Sequence, residues 1–157
     1  ALGMDDSGPT LCVPKGYDGD KQYHTYADGT KVIRDGDGKG IMIRFDGENG
    51  EVKVCRGGKI GPDHAPLKDL VLRSSDTHLY MSNNHRGDFF NSVKTRKQPI
   101  CHVGVGHRTA TICHLSGIAE RLGRPVKWDP KAEQIIDDPV AARMMDRPRR
   151  GPYALPV

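Results

Sequence analysis

An α+β fold, in which a mostly antiparallel β-sheet laid out as a hairpin meander carries helices on one face, is predicted by three features of the sequence. The first half alternates short β-like runs with Asp-Gly and Gly-rich turns, and the second half shifts to helical spacing with clear stops. Nineteen glycines and eleven prolines among 157 residues call for many short elements joined by turns. The length suits one domain, residues 1–157, and 36% hydrophobic residues suffice for a core.

The first hairpin joins Lys21 to Tyr26 with Thr30 to Arg34 through Ala27-Asp28-Gly29, where glycine accepts the positive φ of a tight turn. A glycine-rich link, residues 35–40, leads to a second hairpin. Its strands, Ile41 to Phe45 and Glu51 to Cys55, flank Asp46-Gly47-Glu48-Asn49-Gly50. In the later strand Val52 and Val54 share one face while Glu51, Lys53 and Cys55 share the other, as in a sheet covered on one side. From Asn84 a polar cap opens a helix over His85 to Lys97, in which Phe89, Phe90 and Val93 fall at helical spacing for burial before Gln98-Pro99. A second helix, Thr109 to Leu122, aligns Ile112, Leu115, Ile118, Ala119 and Leu122, and Gly123 with Pro125 stops it. Pro125 to Trp128 reads as extended, Pro139 to Asp146 as a short helix opened by proline, and the tail from Arg147 as irregular.

Composition excludes several classes. The longest apolar runs are a handful of residues, far short of the ~20 needed to span a bilayer, so no membrane segment is expected. The opening residues, Ala1 to Asp6, lack the basic and apolar regions of a signal peptide and begin without an initiator Met, so the sequence reads as a piece of something longer or a processed product. Four cysteines (Cys12, Cys55, Cys101, Cys113) are too sparse for a disulfide scaffold and read as buried free thiols, which lean toward a reducing, cytoplasmic compartment. The basic surplus is local. Residues 84–127 hold 8 basic and 2 acidic side chains, whereas residues 1–83 hold 11 and 13. Such a block suits an anionic ligand or a solvated helix face. With aromatics at 6% there is no stacking platform, so nucleic acid is not an expected partner.

Three motifs invite a chemical reading. Gly104-Val105-Gly106 before a helix has the look of a dinucleotide turn, but no acidic residue closes a second strand about 20 residues on, and a tight turn delivering the chain into the helix fits better. Cys101, His102, His107, Cys113 and His114 carry zinc-type side chains at spacings that structural zinc sites do not use, so no metal site is expected, with Cys113 facing the core and His114 partly exposed. Asp35-Gly36-Asp37-Gly38 lacks the distal bidentate glutamate of a calcium loop and reads as a turn. No hydrolase signature occurs, and no complete active site is expected within the chain.

The run Leu79 to Ile100, containing Ser82-Asn83-Asn84-His85-Arg86-Gly87-Asp88-Phe89-Phe90, is followed by Val105-Gly106-His107-Arg108-Thr109-Ala110, Leu122-Gly123-Arg124 and Trp128-Asp129-Pro130. Together with Arg147-Pro148-Arg149-Arg150-Gly151-Pro152-Tyr153 this resembles the C-terminal region of bacterial oxidoreductases of the glucose-fructose oxidoreductase, inositol dehydrogenase and MocA (Gfo/Idh/MocA) family, over about residues 1–155. The resemblance implies a two-domain parent. An upstream Rossmann domain would bind NAD or NADP, and this chain would shape the pocket for a sugar, polyol or related hydroxy compound and assemble homo-oligomers through its sheet face. The family's cofactor loop and Glu-Lys-Pro motif have no match here, so the resemblance carries over no catalytic and no cofactor-binding residue, and the chain alone is not expected to catalyse. The candidates for substrate contact are His85, Arg86, His107 and Arg108, each opening a helix in the basic block. The alternative from another class is a stand-alone carbohydrate- or anion-binding module.

Overall fold

In the computed structural model the described residues are 8–34, 42–48, 50–55, 71, 73–76, 78, 80–147 and 150–151. The opening residues, the glycine-rich link with its Asp35-Gly36-Asp37-Gly38 turn, and most of the tail lie outside them. The chain divides into two compact units, residues 1–35 with 85–157, and residues 36–84.

In the first unit, β1 (Leu11–Val13) is only three residues long because Pro9 and Pro14 flank it and proline donates nothing to a ladder. The first predicted hairpin is β2 (Gln22–Thr25) and β3 (Lys31–Arg34), paired from Gln22↔Arg34 to Thr25↔Lys31. Its turn works as the Asp-Gly signal requires. Gly29 takes φ 87°, Tyr26 N–H donates to Thr30 O at 2.9 Å, and the Asp28 carboxylate accepts from Thr30 N–H and its hydroxyl, both at 2.9 Å. Those two donors hold the Asp28 carboxyl below its ordinary range.

Strand β1 lies at the centre of a five-stranded antiparallel sheet in the order β3-β2-β1-β6-β7, with β6 at Val126–Asp129 and β7 at Gln134–Ile135. Cys12 faces His24 on one neighbour and Val126 on the other, so these three side chains form one row across the sheet. Helix α1 (His85–Thr95) precedes helix α2 (Val103–Leu122), and a one-turn helix α3 (Pro139–Ala142) follows β7.

Helix α2 covers the sheet with the predicted face. Leu115, Ile118 and Ala119 are buried against Cys12, Val126, Trp128 and Ala141, and Leu122, Ile135 and Met144 close the edges. Each fully buried leucine or isoleucine contributes roughly 1.5–3 kcal/mol through the apolar area it removes from water. The helix ends where predicted, at Gly123 with φ 62° and its N–H on Glu120 O.

The beginning of α2 differs from expectation. It starts at Val103 rather than Thr109, and Gly104 and Gly106 lie in its first turns instead of forming a tight turn. The reason is an unusual cap. The His102 ring Nδ1 accepts from Gly104 N–H at 3.2 Å, while His102 O accepts from Val105 and Gly106, so the orphan amides of the first turn are satisfied six residues early. Cys113 is exposed rather than core-facing, since two residues from Leu115 is about 200° around the helix. Cys101 is exposed as well, Cys12 is buried, and the side chain of Cys55 lies outside the described residues.

Asp138 opens α3 by accepting from Ala141 N–H at 3.0 Å, and Pro139 follows at the first helical position. The helix closes at Ala142, earlier than the predicted Asp146, although single turns continue through Met144 and Met145. Arg124, just past the end of α2, clamps the same carboxylate with both terminal guanidinium nitrogens. That clamp and the capped amides hold the Asp138 carboxyl at about 2.

Helix α1 occupies the predicted position but is turned over. Asp88 is its buried residue, at 8% exposure, whereas Phe89, Phe90 and Val93 are 57%, 62% and 47% exposed. The cause is a backbone amide beyond the helix: Asp88 Oδ2 accepts from Ile100 N–H at 2.9 Å, which draws the carboxylate inward. Arg96, at φ 59°, ends the helix before Pro99.

The second unit contains the other predicted hairpin, β4 (Met42–Gly47) and β5 (Gly50–Cys55), paired from Met42↔Cys55 to Gly47↔Gly50. Its strands run closer to the turn than Asp46 to Gly50 suggests. Arg44 and Asp46, two apart on one face, form an exposed ion pair at 3.0 Å. No helix among the described residues is long and apolar enough to cross a membrane.

Candidate functional site

The four side chains singled out from the sequence occupy two places. His85 and Arg86 open α1 and are exposed. His107 and Arg108 lie one turn into α2 and converge on a single carboxylate.

That carboxylate belongs to Glu133, at the end of the loop joining β6 to β7. Asp129, the last residue of β6, folds the loop by accepting from Lys131 N–H at 2.8 Å and Ala132 N–H at 3.0 Å. Glu133 then adopts a left-handed φ of 53°, and its Oε1 reaches back to α2. His107 Nε2 lies 2.8 Å from Oε1, and Arg108 Nη1 donates to the same oxygen at 3.2 Å and to Pro130 O at 3.3 Å. A carboxylate only accepts, so His107 carries its hydrogen on Nε2. The His107 hydrogen bond, with the nearby His107 and Arg108 charges, pulls the Glu133 carboxyl below its ordinary value.

The result is an imidazole and a guanidinium fixed by a common acceptor on one patch of the first unit. Arg108 retains donors beyond those two bonds, in the planar array that suits carboxylates and hydroxyl-rich ligands. Sequence reading found His107 and Arg108 but not Glu133, whose role depends on a left-handed residue in a loop 25 positions away. The Asp129-Pro130 turn signal is the trace it leaves in the sequence.

A second polar cluster is buried under α2. His24, at 5% exposure, lies between Cys12 Sγ, 3.1 Å from Nδ1, and Ser116 Oγ, 3.0 Å from Nε2. Ser116 donates its hydroxyl hydrogen to Ile112 O at 2.7 Å, so it must accept from His24, which places the imidazole hydrogen on Nε2. Nδ1 is then an acceptor, and the Cys12 thiol donates to it. Gln22 Nε2 adds a bond to Ser116 O at 3.4 Å. Burial pushes the Cys12 thiol up to about 12 and the His24 imidazole down, so both are neutral. A thiol so held is no nucleophile, and the cluster serves to join strand to helix.

Cofactor and metal chemistry can be tested against the same residues. No strand delivers the chain to Gly104, which follows a turn at Ile100-Cys101, and the His102 ring fills the space beside it, 3.0–3.1 Å from where a Cβ would stand. That first turn therefore does not fit a dinucleotide pyrophosphate, which needs bare backbone after a strand. Among the described residues no three His, Cys, Asp or Glu side chains are grouped to hold a metal ion.

Comparison with known proteins identifies a family. The model of an oxidoreductase family's C-terminal alpha/beta domain fits residues 19–155. No curated protein and no solved structure matches the chain.

Proposed function

Because the chain belongs to the Gfo/Idh/MocA oxidoreductase family, as its C-terminal α/β domain, we propose that it is the substrate-pocket and assembly half of an NAD(P)-dependent oxidoreductase acting on a sugar, polyol or related hydroxy compound. A C-terminal domain of this family works with an N-terminal partner. In this reading the partner is a Rossmann domain that holds the nicotinamide, and the 157 residues alone transfer no hydride. They supply hydrogen-bond donors to the substrate's hydroxyl or carboxylate groups, and the sheet face turned away from α2 joins copies of the protein.

The observation that carries this reading is the convergence of His107 and Arg108 on Glu133. A guanidinium already oriented by a carboxylate loses little freedom when it binds a ligand, and its remaining donors are aimed before the ligand arrives. In this reading His85 and Arg86 offer a second, separate set of donors at the start of α1.

The test is steady-state kinetics of the parent enzyme with NAD or NADP and a panel of polyols and sugars. Arg108→Ala is expected to raise KM with kcat little changed, as for a residue that binds ground state and transition state alike. Unchanged kinetics would sink this role for Arg108. Carbohydrate affinity in the 157 residues by themselves, with no oxidoreductase activity in the parent, would favour a stand-alone binding module.

A further inference from the structure

Helix α1 hides its carboxylate and displays its aromatics. Phe89, Val93 and Phe90 span about 100° of the helix circumference, all about half exposed or more, while Asp88 and half-buried Ser92 lie on the inner side. The two rings meet edge to face with centroids 5.7 Å apart and planes at 65°, forming one raised ridge. Eleven residues that include Gly87, Asn91 and Ser92 are too few, and too poor in helix propensity, for such a helix to hold itself in water. A helix of this kind takes its stability from whatever covers its apolar face.

The charge around the ridge decides between occupants. Arg86 and Lys94 lie on the same helix and Arg96 and Lys97 follow its C-terminal end, and the one acid between residues 84 and 100 is the buried Asp88. Two copies meeting ridge to ridge would bring two cationic rims together, which disfavours self-association through this face. The complementary surface is an apolar groove rimmed by carboxylates.

We propose that α1 is an interdomain clasp, its Phe89–Phe90–Val93 ridge seated in a carboxylate-rimmed apolar groove on the N-terminal domain of the same polypeptide. The proposal rests on the functional reading above, which supplies that domain. Tethering explains why three side chains suffice: a linked domain is present at an effective concentration in the millimolar range, so the contact needs little affinity of its own.

Hydrogen exchange tests the clasp. The amides of α1 are followed in the polypeptide carrying its upstream domain and in the 157-residue chain, with the amides of α2 as a folding control. Slowing of α1 exchange by about tenfold or more in the longer polypeptide is expected. Phe90→Asp should return α1 to the rate of the 157-residue chain, and Lys94→Glu, which leaves the apolar ridge intact, should cut the protection by about threefold or more. Equal α1 rates in both polypeptides would overturn the proposal, as would protection that grows with concentration in the 157-residue chain, which would mark a second copy as the occupant. A reading frame with no N-terminal domain would defeat the functional reading, whereas an N-terminal domain beside an unprotected α1 would defeat the clasp alone.

Discussion

Replacing Ser116 with alanine tests whether the buried Cys12–His24–Ser116 chain holds the sheet to α2. The hydroxyl is the acceptor for His24 Nε2–H at 3.0 Å, and His24 is almost fully buried, so the variant strands an imidazole N–H away from water. Leaving such a donor unpaired costs about 1–3 kcal/mol. Two effects work the other way or not at all. Alanine is the better helix former by about 0.5 kcal/mol, and Ile112 O keeps its place in the helix ladder when the Ser116 hydroxyl is removed. The net expectation is a loss of about 0.5–2.5 kcal/mol, against a total stability of roughly 5–15 kcal/mol for a protein of ordinary size. At about 2–4 °C per kcal/mol, Tm should fall by roughly 1–10 °C. The assay is urea unfolding followed by circular dichroism, with Thr109→Ala as the control. Thr109 makes the same local bond, from its hydroxyl to the carbonyl four residues back at 2.8 Å, but is exposed. A Ser116→Ala midpoint equal to or above that of Thr109→Ala would refute the reasoning, since His24 would then not depend on this acceptor.

Three further outcomes follow from the same geometry. Burial holds the His24 imidazole below its ordinary value of about 6.5, so below that pH the unfolded chain binds a proton that the folded chain resists. His24's contribution is therefore complete above about pH 6.5 and is lost as pH falls toward the lowered native value. Urea midpoints should show it as a downward slope that His24→Gln flattens. The Asp138 carboxyl, held at about 2 chiefly by Arg124, stabilises fully above its ordinary value and loses that contribution as pH falls through about 2. Asp138→Asn should keep the α3 cap and destabilise less than Asp138→Ala, and thermal unfolding at neutral pH checks the order. Cys101 and Cys113 should label with a maleimide in the native state, whereas Cys12, buried and with its thiol at about 12, should label only on unfolding, as site-resolved mass spectrometry would show.

Local signals were legible in the sequence and long-range ones were not. Asp28-Gly29, Gly123-Pro125 and Pro139 each act through a turn or helix end a few residues long, and each lies where the residues place it. The face of α2 was readable because Leu115, Ile118 and Ala119 recur with the helical period. Strand β1 left no such mark, since three residues between prolines have no period and their partners are remote. The start of α2 was hidden by two glycines, which suggest a turn, and by a cap made from a histidine ring rather than a hydroxyl or carboxylate. The burial of Phe89 and Phe90 failed as an expectation because hydrophobic spacing tells which residues share a face but not which way that face turns, and here Asp88 and the Ile100 amide decide it. Two of the three residues that converge in the site were readable. His107 and Arg108 stand out in a basic block, whereas Glu133 reaches them only because its backbone is left-handed.

The short central strand also dictates when folding can finish. One side of β1 pairs with β2, made soon after it, but the other side waits for Val126 and Lys127 near the end of the chain. On a ribosome, β1 therefore emerges with one edge unpaired and keeps it so until the helix that covers the sheet and the strand that completes it have both been synthesised. Contacts of such long sequence separation are slow to form, because the loop between them must close before any of them is rewarded. The same arithmetic makes the intervening chain cheap to vary, since doubling a closed loop costs only about 0.6 kcal/mol. Insertions between β3 and α1 therefore add little to the closure cost of the five-stranded sheet, whereas a truncation before Val126 leaves β1 with an unpaired edge, an open template for aggregation.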